Sequence, residues 1–162
     1  MTSAPAQPPA QPPAPVSSAP PPPLPLPLPA PPVPDASQLL RAFLDNIPDI
    51  VYFKDRASRF VLVSAAKARK HDAASADALV GKTDFDIFDE AHARPAFEDE
   101  QRIMESGGAV VNKLEKEVWP NGSVTWCVTT KMPLRDATGA IVGTFGISRD
   151  VTASHHLQEQ LE

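Results

Sequence analysis

The chain has 162 residues, 42% of them hydrophobic, with a formal net charge of −5 and a pI near 5.3. That length favours a single domain, and the acidic balance argues against a nucleic-acid partner, whose footprint would be a basic patch. One cysteine excludes an intrachain disulfide and any multi-cysteine zinc site.

Met1 to Pro34 differs chemically from the rest of the chain. Sixteen of the 20 prolines lie there, and the first charged side chain is Asp35. Proline removes backbone donors, so neither helix nor sheet is expected, and the segment reads as a disordered leader with polyproline II character. The alternating run Leu24 to Pro29 could dock in an aromatic groove, and a semi-rigid spacer explains the same composition. The start, MTSAPAQPPAQ, lacks the basic segment and apolar core of a secretory signal. No apolar run approaches membrane-spanning length. Together with the single cysteine this implies a cytoplasmic location and no membrane partner.

A helix should start at Asp35-Ala36-Ser37, capped by Ser37 or Asp35, with Leu39, Leu40, Phe43 and Leu44 as its apolar stripe. Pro48 stops it. Ile50 to Phe53 and Phe60 to Val63 read as a strand pair joined by a turn over Asp55 to Ser58. Ser64 can cap a helix from Ala65 to His71. Asp72 to Ala78 is short helix or loop, and Gly81 suits a positive φ. Thr83 or Asp84 caps a short helix holding Phe85, Ile87 and Phe88. A longer helix is expected from about Glu90 to Ser106, ended by Gly107-Gly108. Phe97, Gln101 and Met104 would share one of its faces.

Val110 to Thr152 reads as three strands. Pro120-Asn121-Gly122-Ser123 is a hairpin signal, and Arg135 to Gly139 a looser turn. Alternation along these strands separates two faces. Val118, Trp126, Val128, Phe145 and Ile147 belong to a greasy face, and Val110 and Leu114 would join it. Lys113, Glu115, Glu117, Cys127, Thr129, Lys131, Thr144, Gly146 and Ser148 belong to a mixed one. Periodicity alone does not decide which is buried.

The order is helix, two strands, several short helices, one longer helix, three strands. With that order come Asn46-Ile47-Pro48-Asp49, Tyr52-Phe53-Lys54-Asp55, Gly81-Lys82-Thr83 before Asp84-Phe85, and Pro120 to Ser123. Trp126, Thr130 to Asp136 and Gly146 to Thr152 complete the series. From about Ser37 to Thr152 the chain resembles a PAS domain, the small sensor module of bacterial signalling proteins. Ser64 stands where such domains often carry Asn, but caps a helix equally well.

The resemblance implies an α+β fold: a five-stranded antiparallel sheet in the order 2-1-5-4-3, short helices over one face and an N-terminal cap helix. The sensor domain would span 35–152, with a signalling helix starting at 153–162. The mixed face would look inward. Its candidate ligand-binding residues are Tyr52 and Lys54, Glu117 beside Glu115, Cys127, Thr129 and Lys131, then Thr144 and Ser148, with Phe88, Phe97 and Met104 as the helical lid. The buried charges would pair with one another. Lys54, or Lys131 with Thr129, could hold a small polar or anionic metabolite. The greasy face would look outward and, too apolar to stay bare, would be covered by the Leu39–Leu44 helix or by a second subunit in a homodimer. Asp150-Val151-Thr152 would hand the sensor's state to that C-terminal helix and to a downstream partner or output domain. A constitutive interaction module with a packed, ligand-free interior is the alternative.

Photoactive flavin domains of this fold carry a helical Asn-Cys-Arg motif, and Thr83 to Ile87 holds no cysteine, which disfavours flavin. A haem would need a helical His; His71 and His92 are weak candidates and read as surface polar residues. His155-His156 are adjacent and make a poor metal pair. No nucleophile elbow or phosphate loop is present, so no enzymatic role is expected. The carboxylates Asp84, Asp86, Asp89 and Glu90 read as helix caps and a solvated face.

Overall fold

The computed structural model describes residues 26 and 30–161. The expectation for the leader, save its last few positions, therefore lies outside the described residues. From Pro34 onward the chain forms one compact unit. Helix α1 (Ala36–Asn46) begins at Asp35, whose carboxylate accepts from the Gln38 N–H while the Gln38 side chain accepts from the Asp35 N–H. Asp35, not Ser37, is the cap. β1 (Ile50–Asp55) and β2 (Phe60–Val63) pair antiparallel, and Ser64 caps α2 (Ala65–Lys70). Two single 3-10 turns, Asp77–Leu79 and Asp84–Asp86, lead to α3 (Glu90–Ser106), capped by Asp89 and closed by Gly107 at φ 71°. β3 (Val110–Val118), β4 (Val124–Arg135) and β5 (Ile141–Asp150) form the meander, and α4 (Thr152–Glu159) comes last.

The sheet order is β2-β1-β5-β4-β3, all pairs antiparallel. β5 is central: it pairs Tyr52 with Gly146 and Lys54 with Thr144 on one side, Thr129 with Ser148 and Lys131 with Gly146 on the other. The mixed face is therefore the covered one. Thr129, Lys131, Lys54 and Thr144 are all buried, as are Ala93, Ala96, Glu100 and Ile103 of α3. Tyr52, Phe60, Val63 and Leu79 form an apolar cluster at the β1–β2 end.

Two expectations change. Val110 pairs with Lys131 and so lies on the inward face, because the register shifts between Val110 and Lys113, where Asn112 adopts φ 53°. An inserted residue of this kind reverses alternation beyond it. On α3 the deepest stripe is Ala93, Ala96, Glu100 and Ile103, with Met104 at its edge. Phe97 is only half-buried and packs against Phe85, ring centroids 6.0 Å apart.

Candidate functional site

The site grows from lysines on the covered side of the sheet. Lys54 of β1 donates to Asp84 Oδ2 and Glu100 Oε1, each at 2.6 Å. Burial opposes the Lys54 charge, but the two carboxylates outweigh it and hold the ammonium above its usual range. Burial likewise opposes the Asp84 charge, and Lys54 outweighs it, holding that carboxyl below the usual range. Asp84, expected on a solvated face, is thus the partner of a buried cation. Asp86 and Asp89 do cap, accepting from the N–H groups of Thr83 and His92, and Glu90 pairs with Arg94 on the surface.

Cross-strand pairing does not settle the remaining charges as the sequence suggested. Glu117 accepts from Lys70 of α2 at 2.6 Å and from the Thr125 hydroxyl at 2.8 Å. Glu115 accepts from Thr129 at 3.0 Å, and the Thr129 and Ser148 hydroxyls lie 2.8 Å apart. Lys131, 3% exposed, has Asp99 and Glu115 at 3.7 and 3.8 Å, beyond hydrogen-bond reach, and its Nζ has no hydrogen-bond partner among the described residues. The Thr144 hydroxyl is likewise without one. Cys127 lies 3.6 Å from Thr129 Oγ1, and burial pushes its thiol up to about 11, so it is no nucleophile near neutrality.

Lys67 was not among the residues singled out by sequence. It sits on α2 between Ala66 and Ala68, and those small, buried neighbours are the one local signal that this face turns inward. Its Nζ lies 4.8 Å from the Phe60 ring centroid and 5.5 Å from those of Tyr52 and Phe88. Cation–π contact stabilises the charge, yet burial dominates and pushes the pKa down to about 8. His71 packs edge-on against Phe88 at 4.7 Å, and His92 lies tilted by 33° against the same ring at 4.1 Å. Both are half-buried rather than surface residues. Burial, then Lys67 and Lys70, push His71 down to about 4, so it is neutral at pH 7.

These groups surround a cavity of about 30 Å³. Its lining includes Tyr52, Lys67, Phe88, Glu117, Lys131 and Ser148. Of the other expected residues, Lys54, Cys127, Thr129 and Thr144 are buried but do not line it. Phe97 and Met104 do not border it; α3 contributes His92 and Ala96 instead. A macrocycle or flavin ring requires a pocket of roughly 300 Å³ or more, so either would have to displace the helices. Among the described residues no cluster of three His, Cys, Asp or Glu is placed to hold a metal ion, and no helix is long and apolar enough to cross a membrane.

The PAS fold family profile matches residues 44–156. A diguanylate cyclase of Vibrio cholerae is 28% identical over 119 residues, covering 73% of this chain and 37% of that protein. The methanogenesis regulatory histidine kinase FilI of Methanothrix harundinacea is 30% identical over 112 residues, covering 69% of this chain and 12% of the kinase. Both carry enzyme names, but the chain spans only a minor part of each. Among solved structures, the Vibrio cholerae VqmA–ligand–DNA complex superposes with a TM-score of 0.64 at 27% identity, covering 73% of this chain and 52% of VqmA. A Vibrio cholerae VqmA dimer gives a TM-score of 0.65 at 26% identity, covering 74% and 52%.

VqmA corrects one expectation. A relative of this domain occurs in a complex with DNA, so the acidic charge does not exclude nucleic acid. The matched part makes up 52% of VqmA, so the net charge of this chain does not describe the charge of the protein that meets DNA. The sheet order, the covered mixed face and a profile match over most of its length have one meaning: the chain belongs to the PAS fold family of sensory signalling domains.

Proposed function

We propose that this chain is a ligand-sensing module in which a small polar molecule enters the cavity between sheet and helices, shifts β5, and changes how α4 leaves the sheet, within a homodimer. The observation that carries this reading is the Lys131 ammonium, buried at the cavity wall without a hydrogen-bond partner among the described residues. A finished, ligand-free core satisfies nearly all such donors.

The route outward is short. Ser148 lines the cavity and touches Thr129. Two residues on, Asp150 Oδ1 accepts from the Thr152 N–H at 2.8 Å, and Thr152 Oγ1 accepts from the Trp126 N–H at 2.9 Å. Val151 donates to the Trp126 carbonyl at 2.8 Å, and the Trp126 indole stacks on His155 of α4 at 4.1 Å. A displacement of β5 at Ser148 thus reaches the first turn of α4 through Trp126.

Native mass spectrometry of protein purified from its own cells should find a bound small molecule. Removing it should change hydrogen exchange along Thr152–Glu159. Protein that carries no ligand, with α4 protection indifferent to any extract added, would sink the reading. A constitutive docking module is the alternative. The Lys54–Asp84–Glu100 network favours it, since those charges are already paired without a ligand.

A further inference from the structure

The cavity wall carries three lysines, Lys67, Lys70 and Lys131, and three carboxylates, Asp84, Glu115 and Glu117. Its acidic residues are engaged: Asp84 with Lys54 at 2.6 Å, Glu117 with Lys70 at 2.6 Å and Thr125 at 2.8 Å, Glu115 with Thr129 at 3.0 Å. Two ammonium groups on the wall are not. Lys131 meets Asp99 and Glu115 only at 3.7 and 3.8 Å, and Lys67 faces aromatic rings with no hydrogen bond or ion pair among the described residues. Both side chains are more than nine-tenths buried, at 3% and 4% exposure. An ammonium has three donors and no acceptor, so these positions lack an acceptor and not another donor.

From this we infer that the ligand is a small monocarboxylate, its two oxygens accepting from Lys131 and Lys67. The inference rests on the sensing function proposed above and narrows it to one chemical class. Size and charge both narrow it. About 30 Å³ admits a group of few heavy atoms. A dianion such as phosphate would bring two charges against Asp84, Glu115 and Glu117, all on the same wall. A single negative charge is what two unengaged ammonium groups offset at least cost. Tyr52 and Phe88, also on the wall, offer ring surface to a short alkyl chain. Charge-assisted bonds to a carboxylate are stronger than those to a neutral carbonyl, and a bound carboxylate would raise the Lys67 pKa that burial lowers.

The test titrates the full chain with acetate, propionate and butyrate at constant ionic strength, with chloride as the salt control and propionamide as the neutral isostere. Backbone amide NMR of the unaltered protein gives both affinity and location. Saturable shifts should centre on Tyr52, Gly146 and Ser148 for at least one carboxylate, and propionamide should bind roughly tenfold or more weakly. Lys131→Met and Lys67→Met, each checked for an intact fold by its own spectrum, should each weaken the carboxylate by a similar factor. Equal binding of propionamide would overturn the carboxylate assignment while leaving a neutral-ligand sensor standing. Shifts that survive both substitutions, or that lie away from the cavity, would overturn the site. Absence of any carboxylate shift also overturns the inference, and the native mass spectrum then decides the sensing function by itself.

Discussion

Lys67 shows what burial does to one side chain. Its ordinary pKa of 10.5 falls to about 8 in the fold, with desolvation the largest cause. Between those values the unfolded chain keeps a proton that the folded chain has shed, so stability should rise with pH across that window. Below pH 8 both states are protonated, and the cost of the buried charge is present in full, on the order of 3 kcal/mol. Tyr52, raised well above 10, and Cys127, raised to about 11, act in the opposite sense at the alkaline end. The cleanest measurement is therefore the stability difference between Lys67→Met and the unaltered chain, from urea denaturation at pH 7 to 10. The variant's relative advantage should shrink as pH rises; a constant difference would mean that Lys67 does not titrate early. Lys54 behaves otherwise, because its charge is compensated. Lys54→Met would strand Asp84 and Glu100 in the interior and should cost about 3–5 kcal/mol, part of it recovered by adding Glu100→Gln. Strand alternation grouped Lys131 with the mixed face, and only the resemblance to a PAS domain turned that face, with Lys54, inward. Neither made their partners legible, since Asp84, Asp99 and Glu100 come from a turn and a helix whose docking no local pattern encodes.

At the scale of the element, α3 and β5 teach different lessons. The limits of α3 could be read from its ends, Asp89 before it and Gly107 after it, because caps are local chemistry. Its buried stripe was harder to read, since the small Ala93 and Ala96 leave room for the sheet's side chains, whereas the larger Phe97 was the more conspicuous candidate. β5 depends on glycine at two close approaches. A Cβ on Gly146 would stand 2.5 Å from the Tyr52 hydroxyl, so that absent methyl makes room for a cavity residue. A Cβ on Gly143 would stand 1.9 Å from the Lys54 carbonyl oxygen, which is backbone and cannot swing away. Gly143→Ala should therefore force β1 and β5 apart and cost about 1–3 kcal/mol or more. Gly108→Ala, which meets only the flexible Ser106 side chain at 3.2 Å, should stay within about 0.5 kcal/mol. Equal thermal shifts for the two variants would contradict this account of the β1–β5 contact.

For the molecule as a whole, the face left uncovered matters as much as the one enclosed. That β5 lies between β1 and β4 was legible only through the family resemblance, because non-local strand order leaves no mark in periodicity. The greasy outer face could be read from alternation, but its cover could not. α1 does not provide a full cover. Leu39, Leu40 and Phe43 remain 40–50% exposed, and only Leu44 of α1 is buried. Beside Phe43 an apolar hollow of about 270 Å³ is lined by Val51, Phe53, Met132, Phe145 and Ile147. The Phe53 and Phe145 rings stack at its floor, 5.6 Å apart and 17° from parallel. Contiguous apolar surface of this kind favours association, and a two-fold axis beside α1 would let the stripe of one copy fill the hollow of another. If the homodimer proposed above uses this face, Phe43→Glu places a charge at the seam and should turn a dimer into a monomer in sedimentation velocity at micromolar concentration. Lys131→Met, on the opposite face of the sheet, should leave the sedimentation coefficient unchanged. A Phe43→Glu chain that still sediments as a dimer would move the interface elsewhere. A coefficient altered by Lys131→Met would instead couple the interior to assembly, which is the behaviour a sensor needs in order to signal through its dimer.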